Sequence, residues 1–176
     1  MNIFYLDESP IQSARWMVDK HVVKMIVESA QLLSTAHRVL DGDMEIVLSP
    51  TGRKSKQYVL YDGRDTDFYK ATHVNHPSAI WCRSSVENYG WLVDHLYALL
   101  AEYSYRYSKK HKTADVAYYL QSPPFKLKKW DFTPPPSAMA QEYIISDDPI
   151  VNYRNYYKLA KTRMHSWKLR DPPPWI

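Results

Sequence analysis

The sequence predicts a mainly α protein, a compact single-domain helical bundle carrying a short N-terminal strand and a small β-hairpin. Three observations lead there. Apolar residues recur at three- and four-residue spacing through Asp19–Leu40. A second long run with the same period follows Pro77 and extends from about Ser78 to Tyr107. Runs of β-formers are confined to residues 2–6 and to a hairpin insertion at about 44–61. A chain of 176 residues is long enough to bury a conventional core without disulfide or metal staples, and too short to favour a second independent domain.

In chain order, NIFYL at 2–6 is β-branched and aromatic and predicts one short strand. Ser9 followed by Pro10 is a cap and first-turn signal, so a short helix is expected from Pro10 to about Val18. Asp19 then caps the principal helix and Gly42 stops it. The hairpin that follows carries Arg53, Lys54 and Lys56 at its tip, either a solvated loop or a finger that touches phosphates. DGRDTDFYKATHVNHP reads as irregular. The helix after Pro77 has Trp81, Leu92, Leu96, Leu99 and Tyr103 as its core stripe, and a shorter helix capped by Thr113 runs to about Leu120. Residues 122–136 hold five prolines and read as a stiff surface connection, and Asp148 and Pro149 open a last helix to about His165.

The principal helix is unusual on its polar side. Val22, Ile26, Leu33 and Ala36 make the apolar face, with Val23, Ala30 and Leu40 beside them, while His21, Lys24, Glu28, Gln31 and Thr35 form a stripe of mixed chemistry. An imidazole, an amine, a carboxylate and an amide in one row point to the wall of a cleft. The plainer reading is a solvated face with a Lys24/Glu28 pair worth a few tenths of a kcal/mol. Asn75 and His76, just before the helix-opening Pro77, are the second candidate site, because a helix N-terminus attracts anions; a structural cap accounts for one of them. His73, His76, His21 and Asp19 are the only set from which a metal site could be drawn, but their spacing matches no metal motif, and no metal or cofactor is expected.

Composition narrows the partners. A formal charge of +4 permits a polyanion without requiring one, and 15 Tyr and 6 Trp against 4 Phe favour rings with a polar edge, suited to stacking. The last helix, YRNYYKLAKTRMHSWKLR, interleaves Arg154, Lys158, Lys161 and Arg163 with tyrosines, as a nucleic-acid backbone and its bases would require; the alternative is cations favouring a helix C-terminus and tyrosines in the core. The single Cys82 excludes an internal disulfide and a cysteine-based zinc cluster. There is no glycine-rich phosphate loop, and no apolar run long enough for a membrane span, so a soluble intracellular protein is expected.

At DKHVVKMIVESAQLLSTAHR, NHPSAIW and YRNYYKLAKTRMHSW the chain resembles a family of small, uncharacterised proteins of bacteriophages and large DNA viruses. More distantly it resembles pyrimidine-dimer DNA glycosylases of the phage endonuclease V type, through the order of its parts: a short N-terminal segment, the helix bearing His21 and Glu28, NHP before a central helix, and an aromatic, basic tail. That resemblance implies a helical glutamate and the protein's own N-terminal amine as the working groups. Glu28 is the candidate glutamate; the amine belongs to Met1, which the large Asn2 would leave in place, or its part is taken by Lys24, or the chemistry is not imine formation.

The expected function is cleavage of an N-glycosidic bond, with or without strand scission, on a damaged or modified pyrimidine in phage or host DNA within the cytoplasm of an infected cell. Glu28 would be the acid/base, Lys24 a nucleophile or electrostatic stabiliser, and His21 and His76 proton shuttles or phosphate-orienting groups. His21, one turn from Lys24, would be the cationic neighbour that keeps the lysine neutral. Gln31 and Asn75 would contact the substrate, and Trp16, Trp81 or Tyr89 would stack on an extruded base. The alternatives are a non-catalytic protein that sequesters a nucleotide signal or a host factor, and an enzyme acting on free nucleotides or modified bases.

Overall fold

A computed structural model describes residues 1–176. Seven helices and one hairpin follow one another as α1 (Pro10–Trp16), α2 (Asp19–Asp41), β1 (Asp43–Leu48), β2 (Lys54–Val59), α3 (Arg64–Asp67), α4 (Pro77–Cys82), α5 (Val86–Tyr107), α6 (Ala114–Tyr119) and α7 (Pro149–Ala160), with 3-10 turns at Gln141–Tyr143 and Thr162–Met164. The two long helices, α2 and α5, form the central layer, and α1 and α4 close on them. Val22, Ile26, Ala30, Leu33 and Ala36 of α2 and Leu92, Leu96 and Leu99 of α5 are all fully buried in one core. Each buried Leu or Ile there contributes about 1.5–3 kcal/mol of transfer free energy. Val23, expected beside this face, is exposed.

Local signals explain most boundaries. Ser9 accepts the Gln12 N–H and Pro10 follows at the first helical position of α1. Asp148 caps α7 through the Ile150 N–H. Gly42 ends α2 in an extended conformation, with φ −91°, and its lack of a side chain matters for space: a Cβ would sit 2.6 Å from the carbonyl oxygens of both Arg38 and Val59. β1 and β2 pair antiparallel with Asp43 opposite Val59 and Leu48 opposite Lys54.

Four expectations are corrected. Residues 2–6 make no strand: Ile3 and Leu6 are fully buried, but their N–H groups go to Asn2 Oδ1 and Ser13 Oγ, and no strand lies alongside to pair with them. The helix expected from Ser78 to Tyr107 is two helices, because Ser85 caps α5 by accepting the Asn88 N–H while Ser84 Oγ and Asn88 Nδ2 donate to the Trp81 carbonyl. Asp19 is the first residue of α2 and not its cap; its carboxylate accepts from Arg106, Ser166 and the Lys168 N–H, tying the tail to the start of the helix. The last helix stops at Ala160 and a 3-10 turn takes its place before His165.

The proline-rich connection at 122–136 is extended, as expected, and is fastened by side chains: Trp81 Nε1 donates to the Thr133 carbonyl, Thr133 N–H to Asn88 Oδ1, and the Phe125 and Lys126 N–H groups to Asp41. Arg38, fully buried near the end of α2, donates to the Tyr58, Tyr69 and Phe68 carbonyls and pairs with Asp65, so hairpin and following loop hang on one guanidinium. No helix is long and apolar enough to cross a membrane.

Burial of three histidines, His21, His95 and His37, predicts an acid-sensitive fold. His95 is fully buried between α5 and α1, donating Nδ1–H to the Pro10 carbonyl, and burial pushes its pKa down to about 4. His37 is pushed down to about 4 by burial and then by the Arg64 charge, opposed by Asp41. Both fold as neutral rings, whereas the unfolded chain protonates them near pH 6.5. Their contribution to stability is therefore complete above about pH 6.5 and is lost as pH falls towards 4. The melting temperature should drop across that window, and substituting Gln for His37 should make the drop shallower.

Candidate active site

The amino end of the chain meets the middle of α2 at Glu28. One oxygen of that carboxylate, Oε2, accepts the Asn2 backbone N–H at 3.1 Å, and the other lies 3.0 Å from Lys24 Nζ. Asn2 is held on its remaining sides. Its Oδ1 accepts the Tyr153 hydroxyl at 2.7 Å, and its Nδ2 donates to the Ala138 carbonyl at 2.8 Å. Tyr153 belongs to α7 and is fully buried, so the contact rests on a fixed ring. Met1, half-buried against the core, thus carries its α-amine one residue from the Glu28 carboxylate.

The loop before α4 supplies the other wall. His76 caps α4 by accepting the Ser78 N–H at Nδ1, 3.2 Å, which leaves the proton of the neutral ring on Nε2. Its pKa lies below the ordinary histidine value, first through burial, then through the positive charges of the N-terminal amine and His73, against an upward pull from Glu28. His76 is thus sensitive to the charges of the amine, His73 and Glu28. The loop is pinned to α2, since Thr35 Oγ1 accepts the Thr72 N–H at 3.2 Å, and the His73 carbonyl accepts the His76 N–H at 2.8 Å. His73 holds a left-handed backbone with φ 49°, an uncommon conformation for a residue with a side chain. An amine, a carboxylate and an imidazole donor are the groups needed to attack an electrophilic carbon, move a proton and hold an anion.

Several residues expected at the site lie elsewhere. His21 is buried, its ring stacked on Phe4 at 4.2 Å and its Nδ1 2.6 Å from the Tyr157 hydroxyl; burial, then Lys161 and Lys24, push its pKa down to about 3. A neutral buried ring cannot act as the cationic neighbour of Lys24. Lys24 itself is 68% exposed and ion-paired, so nothing desolvates it. Tyr89 is a core residue whose hydroxyl joins His37 and the Leu120 carbonyl, and Trp81 is buried behind Thr133. Trp16 is half-buried with the Arg154 guanidinium 5.0 Å over its ring, and Arg154 also donates to the Leu6 carbonyl, so neither is presented to a ligand. Lys158 and Arg163 are exposed, and Lys161 lies 4.4 Å over the Tyr156 ring. Gln31 is half-buried on α2 and Asn75 is exposed beside His76. His21 and Asp19 stand in separate hydrogen-bonded clusters, so the metal set drawn from the sequence is not assembled, and no group of His, Cys, Asp and Glu is placed to hold a metal.

The sequence reading passed over Asn2 and Tyr153, which fasten the amino end, and gave His73 only a metal role. The signal for Asn2 was its amide beside Met1; nothing local marked Tyr153, 151 positions away. The largest cavity, about 700 Å³, is lined by Ile11, Tyr97, Tyr105 and Arg170 among others and shares no residue with the Glu28 cluster.

A family model described as pyrimidine dimer DNA glycosylase matches residues 1–115, which include Met1, Glu28, His73 and His76. No curated protein and no solved structure matches the chain.

The electrostatic coupling has a direct test. The His76 ring should titrate below pH 6.5 in NMR spectra; Glu28→Gln should lower the midpoint further, and acetylating the N-terminal amine should raise it. An unchanged midpoint in both would separate His76 from the amine and Glu28.

Proposed function

Because the chain belongs to the pyrimidine dimer DNA glycosylase family, we propose that it cleaves the N-glycosidic bond of a damaged or modified pyrimidine in DNA, with the Met1 α-amine as nucleophile and Glu28 as acid/base. The observation that carries this reading is the 3.1 Å hydrogen bond from the Asn2 N–H to Glu28, which brings the chain's first residue to the only carboxylate in the interior of α2.

In the proposed sequence the neutral amine attacks C1′ of the extruded nucleotide. The bond from C1′ to the base breaks, and the base leaves with the electron pair and takes up a proton. Glu28 favours the positive charge that develops at C1′, receives the proton lost from the attacking amine and passes it to O4′ as the C1′–O4′ bond opens, which gives an iminium between Met1 and the sugar and returns Glu28 to the carboxylate form. Transfer of a C2′ proton to the same carboxylate would expel the 3′ phosphate, which is the lyase branch, and water releases the sugar from the amine. Lys24, 3.0 Å from Oε1, orients the carboxylate. His76, with its proton on Nε2, is suited to donate to a phosphate or to the departing base. Lys158, Lys161 and Arg163, on and just after α7, supply positive charge for the flanking backbone.

Glu28→Gln should bind lesion DNA but turn over at least ~100-fold more slowly. Borohydride added during turnover should trap a covalent adduct that peptide mapping assigns to Met1, that persists in Lys24→Ala and that is lost when the amine is blocked. An adduct lost in Lys24→Ala would move the nucleophile to the lysine. Wild-type protein that binds a nucleotide or another protein and cleaves no DNA would replace the catalytic reading with sequestration.

A further inference from the structure

The β1–β2 hairpin is built inside out. On β1, Met44, Ile46 and Leu48 are 49%, 62% and 62% exposed, while Glu45 and Val47 between them are half-buried. A half-solvated strand ordinarily turns its apolar set inward. The register shows what shares the outward apolar face. Met44 is opposite Tyr58, Ile46 opposite Lys56 and Leu48 opposite Lys54, and directly opposed residues lie on the same side of a ribbon. The strand acids, Asp43 and Glu45, lie on the other side, opposite Val59 and Gln57, with Glu45 accepting from Tyr61. One face therefore carries three exposed apolar side chains, two lysines and no carboxylate, and Arg53 adds a further charge at the turn.

The hairpin also stands beside the site. Arg38 Nη1 donates to the Tyr58 carbonyl at 2.9 Å, and Arg38 lies ten positions after Glu28 on α2, about 15 Å along the helix axis. That is on the order of four to five base-pair steps. Lys70, 68% exposed, lines a shallow cavity with Lys56 and Tyr58, and the chain then continues to Thr72 and His73.

We propose that this hairpin is a second DNA-binding element, a two-stranded ribbon that lies in a groove of the duplex flanking the lesion. It rests on the glycosylase reading above. A two-stranded ribbon fits the major groove, where apolar side chains meet thymine methyl groups and base edges. Lys54, Lys56 and Arg53 pair with the phosphates that border the groove, and the acids face away from it. Charge complementarity selects this occupant: every cation of the ribbon is on the apolar face or at its tip, and both strand acids are on the reverse.

The test uses the full chain and a duplex containing a non-cleavable abasic-site analogue, with binding followed by fluorescence anisotropy over a range of salt. Replacing Lys54 and Lys56 by Ala should weaken binding on the order of 10-fold at 0.1 M salt and lower the salt slope by about two. Replacing Ile46 and Leu48 by Ser should weaken binding without changing the slope, because no ion pair is lost. All four side chains are exposed, and unchanged melting temperatures verify the fold. Shortening the duplex by about five base pairs on one flank should reduce wild-type affinity by more than that of the double-lysine variant. Wild-type affinity and slope in both variants, on DNA that the wild type cleaves, would overturn the hairpin's role and leave the glycosylase reading standing. Self-association or binding to anionic vesicles that the Ile46/Leu48 substitutions abolish, with DNA binding intact, would overturn it as well. A wild-type protein with no affinity for DNA would overturn both.

Discussion

A guanidinium taken out of water must find acceptors for its N–H groups, and two of them hold the principal helix at its ends. Arg38, fully buried, reaches the Tyr58, Phe68 and Tyr69 carbonyls and both the carboxylate and the carbonyl of Asp65. Arg106, also buried, comes from α5 to the other end and donates to the Arg15 and Met17 carbonyls, Asp19 and Glu102. Buried ion pairs of this kind add little net stability, yet removing one partner is costly because the other is stranded. Their effect here is positional. The planar fork of each arginine admits few arrangements of its acceptors, so loops that have no secondary structure of their own are held at defined places around α2.

Glu28 profits from that rigidity. It sits between the two anchored ends, and the segment that reaches it, residues 1–6, is fixed by side chains of three different elements: Ser13 of α1, Glu28 of α2 and Tyr153 of α7. An amine at a chain terminus is ordinarily a mobile group. Here the residue next to it has both its backbone N–H and its side-chain amide satisfied, so the freedom left to Met1 is a few torsions. On the proposed reading, that restriction would lower the entropic share of the reaction barrier. The loop with His73 and His76 is fixed from the opposite side by Thr35, a residue of the same helix.

The apolar repeat gave away the central pair of helices, because a buried face leaves a period that no neighbour can alter. The polar stripe was harder. His21 and Glu28 are two turns apart and lie on nearly the same side of α2, yet one is enclosed and the other is only half-buried. The difference arises from what covers each turn: Phe4 and Tyr157 close over His21, and the covering chain ends at Met1 beside Glu28. Periodicity along a helix carries no information about a segment that crosses it. The same limit applies to Tyr89 and Trp81, whose polar edges read as ligand-facing but are satisfied by the Leu120 and Thr133 carbonyls. The helix break at Ser84 and Ser85 was legible in principle, since Ser85 and Asn88 stand at capping distance, and was hidden by the apolar rhythm on either side.

The hydrogen bond between Tyr153 and Asn2 spans nearly the whole chain. During synthesis the amino end emerges first and can meet Ser13 and Glu28 early, but its Tyr153 partner is missing until α7 has left the ribosome, so its attachment is completed late. Closing so long a loop adds only a slowly growing entropic cost, but it makes the full fastening of Asn2 beside Glu28 a product of the completed fold. An incomplete chain that ends before Tyr153 can already contain the long helices and the histidine loop, and still leave its terminal amine loose. Such a nascent protein contains Glu28, His73 and His76 and does not yet hold its amino end fast against them.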